Sequence, residues 1–339
     1  MLIRPTRRLL ILSLPLMILS VFWSAGCFLD NPDRSASLSA LARWEDQRLA
    51  PQDSLVAMLK HQDAHVRLAA VRASGLMGRS DVLPEMMAAL NDRSATVGRQ
   101  AAFSLGLLGD DAAVEALVQT ARDPHTATRV AALRGLAHLQ HDGQAFLDAV
   151  GSKDHEEAAA AWDGLRNVAT SVDSTALSQA LLTGLERVEA DVFWRVLRCC
   201  ERTPWPQLIA PIAPHAQSIL PQVRVHAMRA LARQDDQAAL DAVIAGGMKQ
   251  GNFGDRNRIR VDVALMRALG SLGALNFEKG EAGEGSERDF LVTAMITGAG
   301  SENPQLAVTA LTAMENVVAS MPLPQEAAQQ ESLLPVWRI

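Results

Sequence analysis

Apolar residues along this chain come in short blocks at helical spacing, separated by small polar turns. Leu55, Val56, Met58 and Leu59 form one block; Val82, Leu83, Met86, Met87 and Leu90 the next; then Val114, Leu117 and Val118; and later Leu177, Leu181, Leu182 and Leu185. Recurrence at i, i+3 and i+4 predicts amphipathic helices. Between the blocks lie three segments that align with one another: QDAHVRLAAVRASGLMG from Gln62, NDRSATVGRQAAFSLGLLG from Asn91 and RDPHTATRVAALRGLAHL from Arg122. Each carries an aspartate (Asp63, Asp92, Asp123), then an arginine (Arg67, Arg99, Arg129), an Ala-Ala pair and a bulky residue at Val71, Phe103 or Leu133. The bulky position therefore recurs every 30 to 32 residues. Looser copies place Trp162, Phe193, Met228 and Met266 at the same point, and the last is expected over Leu306–Met314. Each repeat reads as two helices, one before the aspartate turn and one after it.

The turn aspartate can accept from free N–H groups where the second helix starts. The alanine pair lets helices approach closely, and the bulky residue fills the space between repeats. Gly78 and Gly109 close second helices as a left-handed cap requires. One pair of short helices cannot bury its own apolar face, so neighbours must stack. At these residues, over roughly Ser54 to Met314, the chain resembles the HEAT-repeat family, in particular the short-period repeats first associated with phycobilin lyases. The expected fold is all-α, an α-solenoid of about eight HEAT-like helix pairs. The resemblance implies that Asp63, Arg67, Asp92, Arg99, Asp123 and Arg129 form a structural ladder between adjacent repeats.

The first residues add a location. MLIRPTRR carries Arg4, Arg7 and Arg8 and no acid, and Leu9 to Ser24 carries no charge. That run is shorter than the roughly 20 apolar residues of a spanning helix, and Pro15 interrupts it. A basic start, an apolar middle and small residues describe a secretory signal. Ala25, Gly26 and Cys27 resemble the lipobox of bacterial lipoproteins, with Ser24 where an aliphatic residue is more usual. The resemblance implies that Cys27 becomes the acylated first residue, because two or more acyl chains, palmitate among them, hold a soluble domain at a bilayer. An uncleaved anchor helix and plain secretion are the alternatives. The expected location is the cell envelope, with the domain outside the cytoplasm.

Composition narrows the partners. The net charge is −6, and removing residues 1–26 takes three arginines with it. An acidic balance argues against nucleic acid. Aromatics are 4 % and tyrosine is absent, while alanine and leucine dominate, as in closely packed helices. The organisation read from the chain is a signal over 1–26, a polar tether over 27–51 with a helix inside it, the solenoid over 52–320 and a tail over 321–339. Two long loops, Gly246–Arg258 and Asn276–Asp289, stretch the late spacing. The tail carries Leu333, Leu334, Val336 and Trp337, which can cover the open end of the stack.

Candidate chemistry is sparse. No phosphate loop, nucleophile elbow or metal motif occurs, so no catalytic residue, metal or cofactor is expected and the protein is not read as an enzyme. His61 and His65 are four apart but straddle a turn; His138 and His141 sit at a helix end. Cys199 and Cys200 are adjacent. Buried free thiols are the plainer reading, a strained vicinal disulfide the other. The residue after each bulky position forms a row: Arg72, Ser104, Arg134, Asp163, Trp194, Arg229 and Arg267. In HEAT-like arrays second helices line the concave side, so Arg72, Arg134, Trp194, Arg229 and Arg267 are the candidate site for an acidic peptide or protein loop. Against this stands a solvated face whose late-helix arginines merely complement the helix dipole. The function expected is a lipid-anchored interaction scaffold binding a protein partner. A chromophore lyase, implied only by the repeat type, and a structural envelope spacer are the alternatives.

Overall fold

The computed structural model describes residues 32–141, 143–187, 189–248, 258–272 and 287–319. Among these there is no strand. Seventeen α-helices succeed one another among the described residues. They are α1 (Pro32–Gln47), α2 (Gln52–Leu59), α3 (Ala64–Met77), α4 (Leu83–Ala88), α5 (Ala95–Leu108) and α6 (Val114–Thr120). Then come α7 (Thr126–Leu139), α8 (Gly143–Ala149), α9 (His155–Val168), α10 (Ser174–Leu185), α11 (Ala190–Cys200) and α12 (Ile209–Ile212). The last are α13 (Pro221–Leu231), α14 (Gln237–Met248), α15 (Ile259–Leu272), α16 (Glu287–Ala299) and α17 (Pro304–Ala319). Among the described residues the helices after α1 alternate as eight pairs, an all-α repeat fold.

The turns are built as their aspartates require. Asp63, Asp92 and Asp123 each accept the N–H of the residue two further on: His65 at 2.8 Å, Ser94 at 2.7 Å and His125 at 2.7 Å. This Asx turn starts the second helix directly at Asp63 and two residues later in the other repeats. At the far end Gly78 and Gly109 adopt φ of 71° and 75°, the left-handed region where a side chain is strained. Gln140 closes α7 in the same conformation at φ 55°.

The residues form two compact units that divide between Ala116 and Leu117, within α6. In the first, α3 packs on both α1 and α5. Leu41, Leu55, Val66, Val71 and Leu105 are fully or almost fully buried there. The stretch expected as a tether contains the helix read inside it, and that helix packs on the repeats. Residues 32–47 are a helix that buries Leu41, and Arg34 of α1 pairs with Asp63 at 2.5 Å. An apolar residue and a charge partner on the right face bring this stretch into the packed array. Phe103 departs from expectation too: it is half-buried, and Ala102 and Leu105 fill the core in its repeat.

In the second unit α7, α9, α11, α13, α15 and α17 pack in succession, each on the next. Leu133, Trp162, Met228 and Met266 have at most 1 % exposure, and Phe193 is buried beside them. Gly184 lets α10 meet the Trp162 ring, since a Cβ there would lie 2.6 Å from Cζ2. The late loops are shorter than the sequence suggests at their edges, because α14 runs through Met248 and α16 begins at Glu287. The signal over 1–26, Cys27, the middles of both loops and the tail from residue 320 lie outside the described residues. Among those described, no helix is long and apolar enough to cross a membrane.

Candidate functional site

The ladder residues come first, since they position everything else. Arg67 is buried and grips Asp92 through Nε at 2.7 Å and Nη2 at 2.9 Å, while its Nη1 donates to the carbonyls of His61 and Gln62. Arg129 repeats the arrangement one unit on, but its acid is Glu157 on α9, at 2.6 and 2.7 Å. Its Nη1 donates to the carbonyls of Asp123 and Pro124. Arg224 likewise donates to the carbonyl of Ser218, six residues back. One guanidinium thus closes its own turn and ties it to the next repeat. These pairings hold the carboxyls low. Arg34 holds Asp63, Arg67 holds Asp92 and Arg129 holds Glu157 below the usual carboxylate range. For Asp123 the main cause is the His125 N–H. Arg99 is half-buried and donates to Thr96 Oγ1 at 3.4 Å.

The candidate row divides between the two units. In the first, Arg72 is exposed and pairs with Glu45 at 3.0 Å. Ser104 is fully buried beneath Gly75. In the second unit Arg134 is exposed on α7 with no ion-pair partner among the described residues. Trp194 on α11 is a packed post. Arg195 lies 4.3 Å and Arg198 5.4 Å from its ring centroid, and both pair with Asp163. The Trp194 ring also stacks on His226 at 5.5 Å. His226 in turn bonds Glu201 through Nδ1 at 2.6 Å.

Arg229 and Arg267 converge, and they bring company. A cleft of about 380 Å³ is lined by Arg166 from α9, Arg202 just past α11, Arg229 and Arg233 from α13 and its end, and Arg267 from α15. Its acid is Glu201, already engaged by His226. Among the described residues none of the five guanidinium groups has an ion-pair or hydrogen-bond partner, and the Arg166 Nε is buried without one. Helix C-termini close by supply only about half a negative charge each, well short of balancing five cations. A second cleft of about 410 Å³ shares Arg229 and Arg267 and adds Arg260, His226, Val225 and Val263. Arg134 lines neither cleft. The sequence row missed Arg166, Arg202 and Arg233. Arg202 follows Arg198 by four residues and Arg233 follows Arg229 by four, each just past the end of its helix, and this spacing is the signal that marks the last two.

The other candidates carry no site. His61 accepts from the Asp63 N–H and contacts Asp33, whereas His65 turns to the Asp63 carboxyl. Among the described residues no group of three or more His, Cys, Asp or Glu side chains is placed to hold a metal. Cys199 and Cys200 are free thiols in the continuous helix α11, both buried. Burial pushes Cys199 up to about 12 and Cys200 well above the ordinary thiol value.

Comparison with known proteins bears on the architecture. A profile of HEAT repeats matches residues 30–102 and 83–166. No curated protein matches the chain. Among solved structures, the YibA protein of Escherichia coli superposes with a TM-score of 0.56 at 15% identity, over 81% of this chain and 96% of its own. An engineered protein superposes at 0.51 with 17% identity, over 78% of each chain. The complex of CpcE and CpcF of phycocyanin lyase from Nostoc sp. PCC7120 gives 0.43 at 18% identity, over 74% of this chain and 95% of its own. At such identities the first two speak for the fold alone. Residues 30–166 thus match HEAT repeats, and the described residues as a whole form an all-α repeat fold.

Proposed function

We propose that this chain is a lipid-anchored, non-catalytic scaffold of the cell envelope that captures an acidic protein or peptide on the arginine face of its second unit. The observation that carries the reading is the cleft of Arg166, Arg202, Arg229, Arg233 and Arg267, five cations around one opening in a chain of net charge −6. Like charges so gathered repel one another, and an acidic partner relieves that repulsion while gaining charge-assisted hydrogen bonds. Anchoring rests on the signal-like start and on Cys27, which would carry the acyl chains outside the cytoplasm. A scaffold held at a bilayer meets its partners at raised local concentration.

Two measurements test the reading. Labelled palmitate should enter the wild-type chain and not a Cys27→Ala variant, which should leave the membrane fraction; equal labelling of both overturns the anchor. Labelled poly-glutamate should bind the full chain in low salt and be released in high salt. The Arg229→Glu, Arg267→Glu double variant should bind at least tenfold more weakly with unchanged helical circular dichroism. Equal binding by the two proteins removes the arginine face from the proposal.

A further inference from the structure

The last helix of the array presents a face that its predecessor buries. In α15, which packs on both α13 and α17, only Arg260, Arg267 and Ser271 are exposed. α17 sets Ala313 against Gly270 of α15 and Ala310 against Gly298 of α16. On its other side Val308, Leu311 and Val318 are 62 %, 55 % and 41 % exposed, with Glu315 exposed among them. Positions 308, 311, 315 and 318 are three or four apart, so they form one stripe along the helix. Among the described residues no helix follows α17 to cover this stripe. Glu315 is the one charged residue of α17 and has no ion-pair partner among the described residues.

The chain itself carries a matching segment. Residues 320–339 follow α17 directly, and Pro322 and Pro324 oppose its continuation as a helix. Leu333, Leu334, Pro335, Val336, Trp337, Arg338 and Ile339 come later, and Arg338 is the one cation among residues 320–339. A proline at 335 favours extended backbone at Leu334. Alternate residues of an extended segment share a face, which puts Leu334, Val336 and Arg338 in a row. The row is two apolar side chains and then a cation; the stripe, read in the same direction from Val308, is two apolar side chains and then an acid. The lengths agree as well. Leu334 to Arg338 spans roughly 13 Å at about 3.3 Å per residue, and Val308 to Glu315 rises roughly 10 Å at about 1.5 Å per residue. The stretch from 320 to 333 is longer than the roughly 16 Å needed to return from Ala319 to Val308.

We propose that residues 334–339 seat in cis on the free stripe of α17, parallel to the helix, with Leu334 on Val308, Val336 on Leu311 and Arg338 paired with Glu315. Ile339 then reaches Val318. The segment closes the end of the stack, where a repeat array needs a cap. A second copy of the chain fits the stripe less well. α17 carries no cation to meet the other copy's Glu315. One helix stripe also falls short of the roughly 800 Å² per partner that a stable interface buries. This inference uses neither arginine cleft, so it stands apart from the scaffold reading.

The test is limited digestion of the full chain with a glutamate-specific protease, following release of the peptide after Glu331. Cleavage requires the segment around the bond to leave the folded body. The wild type should release the peptide slowly. Glu315→Arg and Leu311→Asp change exposed side chains and should keep the helical circular dichroism. Each should release the peptide about tenfold faster, the factor that about 1.4 kcal/mol of lost docking gives. The Glu315→Arg, Arg338→Asp double variant restores an opposite-charge pair without adding a glutamate and should return close to the wild-type rate. Equal release by the wild type and both single variants overturns the proposal. A double variant as fast as Glu315→Arg overturns the pairing and the register with it. Protection that grows with protein concentration would mark another chain as the donor of the segment and overturn docking in cis.

Discussion

Arg67 holds the Asp92 carboxylate by two parallel hydrogen bonds, of 2.7 and 2.9 Å, while 6 % of its side chain remains exposed. Arg99 occupies the matching position in the next repeat, yet it donates to Thr96 Oγ1 on its own helix at 3.4 Å. The contrast separates a buried clamp from a half-buried residue that shares its place in the pattern. Removing one partner of a buried pair costs about 3–5 kcal/mol, because the other charge is left without solvent or partner. Arg67→Ala should therefore lower unfolding stability by about 3 kcal/mol in urea titration. Arg99→Ala should change it by about 0.5 kcal/mol or less. Equal losses would show that the two arginines do the same work.

The same clamps set the acid limit of the fold. Asp63, Asp92 and Glu157 are held low chiefly by Arg34, Arg67 and Arg129, and Asp123 chiefly by the His125 N–H. Their folded pKa values lie below the unfolded ones, so their contribution is complete above the unfolded range near 4. It disappears as pH falls through the folded values. Melting temperature should stay level from pH 7 to about 5 and drop below about pH 4. Asp92→Asn should lower it at neutral pH and flatten the acid drop. A melting temperature that rises on acidification would contradict the assignment.

Core substitutions should follow burial rather than position in the repeat. Leu133 has no exposure, so Leu133→Ala should cost about 2–5 kcal/mol. Phe103 is half-buried, and Phe103→Ala should cost clearly less despite the larger side chain removed. Chemical denaturation of the two variants side by side decides the matter, and a greater loss at Phe103 would refute the ranking.

A left-handed cap without glycine is a place to gain stability. Gln140 sits at φ 55°, where a Cβ costs roughly 1–2 kcal/mol, partly offset by the unfolded-state freedom glycine adds. Gln140→Gly should raise stability by about 0.5–1 kcal/mol. Gly109→Ala should lower it by about 1 kcal/mol, although the space around Gly109 is open, because the backbone alone disfavours the change. Thermal melts of both report the sign directly.

The paired thiols should be silent in the native protein. Thiolate is the reactive form, and burial holds Cys199 at about 12 and Cys200 higher than usual. In a Cys27→Ala background, a thiol reagent at pH 8 should find no reactive group until denaturant is added and then find both. Rapid native labelling would mean that α11 opens at its end.

How the chain divides between what can be read and what must be seen follows from distance along it. Aspartate, arginine and the alanine pair act within one turn and one helix, so Asx turns, helix pairs and the caps at Gly78 and Gly109 are legible from local chemistry. The membership of α1 in the array was harder to read, because its single deeply buried residue, Leu41, sits in a polar stretch. What the residues alone determined is therefore the helix pair and its repetition. Only the tertiary structure decided that Arg72 pairs with Glu45 and that Ser104 is buried. It also gathered Arg166, Arg202, Arg229, Arg233 and Arg267 around one cleft, from helices far apart in the chain. The reason is physical. Helix formation is governed by neighbours a few residues away, whereas the meeting of five like charges is imposed by apolar packing of α9, α11, α13 and α15, which outweighs their mutual repulsion.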